Sequence, residues 1–149
     1  MKHLSPKLAE QTRQEWREFG FFYSIDDERK EWQLTGSRAG LLKFVAMLLG
    51  YASNSRNDVL SEHDHLGPHM YLELMTWSEP GIDGHSIHGT LPDIARLAQL
   101  VEAKLAKASP GDSFGVREEY APGAGYSLIL RVKEDGFDTS TEDPQLEDG

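Results

Sequence analysis

The chain has 149 residues, 38% hydrophobic and 27% charged, with no cysteine and a formal net charge of −10. That length suits one domain with a core large enough to need no staples. The composition excludes disulfides, a thiolate nucleophile and Cys-ligated zinc, and it fits a cytoplasmic protein.

Residues 1–18 predict a helix. Ser5 and Pro6 supply an N-cap and a first-turn proline, and Leu8, Thr12, Trp16 and Phe19 share one face. The same stretch has no apolar run of the secretory type, so no signal peptide is expected. Residues 19–25 (FGFFYSI) and a strand starting at Trp32 and Leu34 predict a hairpin around the charged turn at 26–31. A helix starting at Gly36 and Ser37 follows, with a broad apolar stripe from Leu41 to Ala52 that ends at residues 54–57. This run carries Lys43 and is too short to cross a bilayer, so no membrane partner is expected.

Residues 58–67 read as polar and irregular. Residues 69–77 (HMYLELMTW) give the clearest strand, with Met70, Leu72, Leu74 and Thr76 alternating against Tyr71, Glu73, Met75 and Trp77. Turn signals at 80–84 and a short returning strand at 85–89 predict a second hairpin. Thr90, Pro92 and Asp93 then start a helix with a buried stripe of Ile94, Leu97, Ala98, Val101 and Leu105, stopped at residues 109–111. Residues 114–120 and 126–132 predict a last hairpin around the turn at 122–125.

Seven acids and no base lie in residues 134–149, which read as an acidic, flexible tail; the remainder holds 15 bases against 18 acids. With no basic patch, a nucleic-acid partner is not expected. The expected fold class is therefore α+β. It comprises an antiparallel or mixed sheet of about six strands with two main helices on one face, in a single domain spanning 1–133. Residues 1–18 form an accessory helix of that domain, and 134–149 the tail.

Five of the six histidines, His63, His65, His69, His85 and His88, fall within 26 residues. Imidazoles among carboxylates can hold a divalent transition metal, with Asp64, Glu62 or Asp83 as further ligands. The spacing matches no standard motif: the next acid after His65 is Glu73, eight residues on, and His85 and His88 point apart in a regular strand. Residues 84–89 (GHSIHG) nearly imitate a serine nucleophile elbow, but His88 replaces the second glycine. The glycines at 121–125 form no phosphate-binding loop. Glu118 and Glu119 on a strand would point apart. The aromatic residues Trp32, Tyr71 and Trp77 form a candidate partner-binding set if one sheet face is uncovered.

Residues 32–37 (WQLTGS), the helix beginning Gly40-Leu41-Leu42, residues 64–68 (DHLGP) and residues 71–74 (YLEL) together resemble small uncharacterised bacterial α+β proteins. Some of these are similar to immunity-protein families of polymorphic toxin systems. The resemblance covers roughly residues 32–77. It implies a non-enzymatic module that binds another protein, and it assigns no catalytic residue. The leading expectation is therefore a small bacterial protein-binding module whose partner is another protein or a second copy of itself. The alternative is a metal-binding protein or metalloenzyme using the histidine cluster.

Overall fold

The computed structural model describes residues 5–146. Ser5 caps helix α1 (Pro6–Phe19) by accepting the Leu8 N–H, and Gly20 ends it in the left-handed conformation. The buried face is Ala9, Thr12 and Trp16, one position round from the predicted stripe, which leaves Leu8 exposed. Residues 1–4 of the expected helix lie outside the described residues.

Strands β1 (Phe22–Asp26) and β2 (Glu31–Ser37) form the predicted hairpin, its turn held by Asp26 Oδ1 accepting the N–H groups of Glu28 and Arg29. Ser37 caps helix α2 (Arg38–Ala52). Gly40 lies against the end of α1. A Cβ there would sit 1.9 Å from the Gly20 carbonyl oxygen, so only glycine permits this close approach.

The chain then builds a second layer. Strands β3 (His63–Leu66), β4 (Leu72–Thr76), β5 (Gly81–Ile82) and β6 (Ser86–Gly89) form a sheet in the order β3-β4-β6-β5. Helix α3 (Leu91–Lys107) carries the predicted capping box between Thr90 and Asp93 and the predicted buried stripe. Strand β7 (Ser113–Gly115), a single helical turn α4 (Arg117–Tyr120) and strand β8 (Ser127–Lys133) complete the first sheet, in the order β1-β2-β8-β7.

The class is α+β, as expected, but the single six-stranded sheet is corrected to two four-stranded mixed sheets. β2 runs parallel to β8, and β4 runs parallel to β6 because the short β5 reverses the chain between them. The sheets meet where the Tyr126 N–H donates to the Ile82 carbonyl and the Trp32 Nε1–H to that of Asp83, too few bonds for a shared ladder. Residues 117–120 are helical rather than strand, so Glu118 and Glu119 stand on a helical turn. One core joins Leu34, Leu128 and Leu130 of the first sheet, Leu72, Leu74 and Ile87 of the second, and Phe44, Leu48, Leu97 and Val101 of α2 and α3. Among the described residues no helix is long and apolar enough to cross a membrane.

The flexible-tail expectation is also corrected. Residues 134–146 form a strap with two 3-10 turns (Thr139–Glu142 and Pro144–Leu146) against α1, burying Thr139, Ser140, Asp143 and Leu146. Composition misled here because the strap is held by polar bonds. Thr139 Oγ1 donates to the Trp16 carbonyl at 2.8 Å, and Arg17 pairs with Asp138 at 3.0 Å. Residues 147–149 lie outside the described residues.

Candidate metal centre

The outer face of the second sheet is set by its register. A turn closes from the Glu62 N–H to the Val59 carbonyl, with Ser61 in the left-handed region at φ 75°. The Ser61 N–H donates to the Thr76 carbonyl while the Thr76 N–H donates to that of Glu62, so two residues oppose one. This is a β-bulge with serine at the position glycine usually takes. Beyond it, the antiparallel ladder makes His63↔Met75 and His65↔Glu73 the non-hydrogen-bonded pairs, whose Cα atoms approach to about 4.5 Å. Asp64 and Leu66 share the side of Leu72 and Leu74 that faces the core. His63, His65, Glu73 and Met75 therefore share the outer side.

The three polar members converge. One donor atom from each of His63, His65 and Glu73 lies within 4.8 Å of the others. His63 Nε2 is 3.6 Å from Glu73 Oε1, and the two imidazole centroids are 5.1 Å apart. Coordination of a divalent transition metal, at bond lengths of roughly 2.0–2.2 Å, would require the three side chains to close up further.

Both rings are oriented from behind. His63 Nδ1 lies 3.0 Å from the Ser61 carbonyl oxygen, and His65 Nδ1 lies 3.3 Å from that of Met70. A carbonyl only accepts, so each Nδ1 carries the proton and each Nε2 keeps its lone pair. Carbonyl contacts of this kind support metal-bound histidines in general. Ser61 and Met70 are two of the three non-glycine residues with left-handed backbone among the described residues, the third being Lys30 in the β1–β2 turn. Conformations of this kind cost about 1–3 kcal/mol each and cluster at functional sites. The Ser61 carbonyl raises the His63 pKa above its ordinary value. Partial desolvation opposes the rise, and Glu73 adds to it.

The other predicted ligands go elsewhere. His69 Nε2 donates to Asp143 Oδ2 at 2.8 Å, and the same buried carboxylate accepts the Trp16 Nε1–H at 2.8 Å and the Gln145 N–H at 2.9 Å. His69, Trp16 and Asp143 line part of a cavity of about 440 Å³ between the strap and the first sheet. His85 is exposed, and its backbone N–H donates to Asp83 Oδ1. His88 lies 2.8 Å from the Ser86 hydroxyl through Nδ1, and burial lowers its pKa. Ser86 itself is only 3% exposed and bonds Asp83, which makes it a turn support rather than an accessible nucleophile. Glu62 and Asp64, weighed as ligands from sequence, are not in the convergent group; Glu73 is.

Of the aromatic set, Tyr71 is 63% and Trp77 41% exposed, just beyond the two ends of β4. Trp32 is corrected: it is 1% exposed, enclosed by core residues with its Nε1–H on the Asp83 carbonyl. Glu73 and Asp143 were missed as partners because register and a contact across the whole chain join them to their histidines. Only the β3–β4 register could have signalled Glu73. No family model, curated protein or solved structure matches this chain.

Proposed function

We propose that the protein binds a divalent transition metal ion on the outer face of β3 and β4 through His63 Nε2, His65 Nε2 and Glu73. The observation that carries this reading is the pair of backbone carbonyls, each from a left-handed residue, that accept from Nδ1–H and leave a lone pair on each Nε2, that of His63 facing Glu73. Two imidazoles and one carboxylate leave coordination positions open for water or a ligand. That donor set suits zinc, nickel, cobalt or iron(II), not calcium or magnesium. The test is calorimetric titration of chelator-treated protein with zinc and nickel. One ion per chain should bind, and the His63→Ala/His65→Ala variant should bind none. An unchanged titration in that variant would reject the reading.

The exposure of Tyr71 and Trp77 favours a second reading, in which the protein binds another protein or a second copy of itself, as an immunity-type module would. Sedimentation equilibrium of the parent and a Tyr71→Ser/Trp77→Ser variant tests self-association. A monomer in both would remove the homodimer form of that reading.

A further inference from the structure

The outer face carries a fourth potential donor that the three-ligand description omits. Met75 lies directly opposite His63 in the register, in a non-hydrogen-bonded pair where side chains approach most closely. It is also two residues from Glu73 on the same side of β4. It is only partly buried and does not belong to the core cluster that takes Leu72 and Leu74 from the same strand. On its far side the register places His88, whose ring is largely buried with Nδ1 on the Ser86 hydroxyl and Nε2 against Gly81, so His63 and His65 are the exposed imidazoles of this face.

A thioether is a soft, uncharged donor. It contributes little to zinc or nickel but binds monovalent copper well, whereas a carboxylate has the reverse preference. The face therefore holds two overlapping donor sets that share His63 and His65.

We infer that this face also takes Cu(I), through His63, His65 and the Met75 thioether, with Glu73 serving only divalent ions. This rests on the metal reading given above, and it divides the donors of one face by the oxidation state of the ion they serve. Binding needs no covalent or redox step: neutral imidazole and thioether lone pairs replace the ion's other ligands.

The experiment is a double dissociation on the full chain. Cu(I) affinity is measured anaerobically by competition with a chromogenic Cu(I) chelator, and zinc affinity by calorimetry. The proteins are the parent, Met75→Leu, Glu73→Gln and His63→Ala/His65→Ala, each checked for folding by circular dichroism. Met75→Leu is close in volume and keeps the strand apolar. It should weaken Cu(I) tenfold or more and leave zinc within twofold. Glu73→Gln should do the opposite, and the double histidine variant should lose both ions. If Met75→Leu leaves Cu(I) affinity unchanged while the histidine variant abolishes zinc, this inference falls and the metal reading stands. If the parent binds neither ion, both fall.

Discussion

His69 and the pair His63 and His65 lie within seven residues of one another in sequence but occupy opposite kinds of environment. His69 faces Asp143, a carboxylate 2% exposed that also receives the Trp16 indole N–H and the Gln145 N–H. That histidine ties the strap to the β3–β4 connection, while Trp16 ties the same carboxylate to α1. His63 and His65 are exposed side chains oriented through Nδ1 by backbone carbonyls, and His63 Nε2 faces the Glu73 carboxylate at 3.6 Å. A buried carboxylate demands compensation, and a histidine that supplies it is structural. A histidine oriented by a backbone carbonyl keeps a lone pair on its other nitrogen and has coordinating capacity left. Residue type alone does not separate these cases; the partner of each ring nitrogen does.

The largest expected effect lies on the structural side. Asp143→Ala would leave three donors without an acceptor, two of them from buried or half-buried rings. It should lower the unfolding free energy by about 3 kcal/mol in urea melts. A loss under about 1 kcal/mol would mean the strap does not depend on this carboxylate. The same experiment on His63→Ala/His65→Ala should show a change within about 0.5 kcal/mol without metal, because both side chains are exposed.

The next effect belongs to the open face. Zinc at a hundredfold excess over its dissociation constant should stabilise the parent by about 2.7 kcal/mol, visible as a rise in Tm, with no rise in the histidine variant. Protons compete for the same site. Since the Ser61 carbonyl raises the His63 pKa, this stabilisation should fade as pH drops through a value above the ordinary 6.5 of histidine. A pH-independent zinc shift between pH 8 and 5.5 would argue against histidine ligation.

A smaller effect sharpens the role of the strained carbonyls. Ser61→Gly relieves a left-handed serine, worth about 1–2 kcal/mol. It also adds about 0.4–1 kcal/mol of unfolded-chain entropy. A net gain of about 0.5 kcal/mol should follow, with zinc affinity unchanged because the carbonyl stays in place. Lower stability would show that the serine side chain contributes something the backbone account omits.

The smallest concerns the exposed latch of the strap. The Arg17 guanidinium lowers the Asp138 pKa from 3.8 to about 2. A lowered carboxylate pKa contributes stability above the unfolded value, and that stability is lost as pH falls through the folded one. Both side chains are more than a third exposed, so Arg17→Ala should cost only a little stability at pH 5 in urea melts and less at pH 2.

The legible parts of the fold were those where local chemistry decides. The Thr90–Asp93 capping box, the Ser5 and Ser37 caps, the Leu72–Thr76 strand and the β1–β2 hairpin can all be read from neighbouring residues. β3 was not legible because three of its four residues are polar and exposed, and its strand character comes from pairing with β4. The split into two sheets turns on β5, two residues long, which no periodicity reveals. The site was half legible. The His63–Asp64–His65 spacing marks a same-face pair, but the carboxylate that joins it lies eight residues away and is placed by register. The strap was misread because its buried groups, Thr139, Ser140 and Asp143, are polar and are satisfied by hydrogen bonds rather than by apolar contact.

The most direct test of the central claim is long-range nitrogen–proton NMR of the imidazole rings, before and after one equivalent of zinc at pH 7.5. His63 and His65 should be Nδ1–H tautomers in the free protein. Zinc should shift the Nε2 resonances of these two rings while those of His69, His85 and His88 stay in place. Nε2–H tautomers at His63 and His65, or zinc shifts spread equally over all five rings, would contradict that claim.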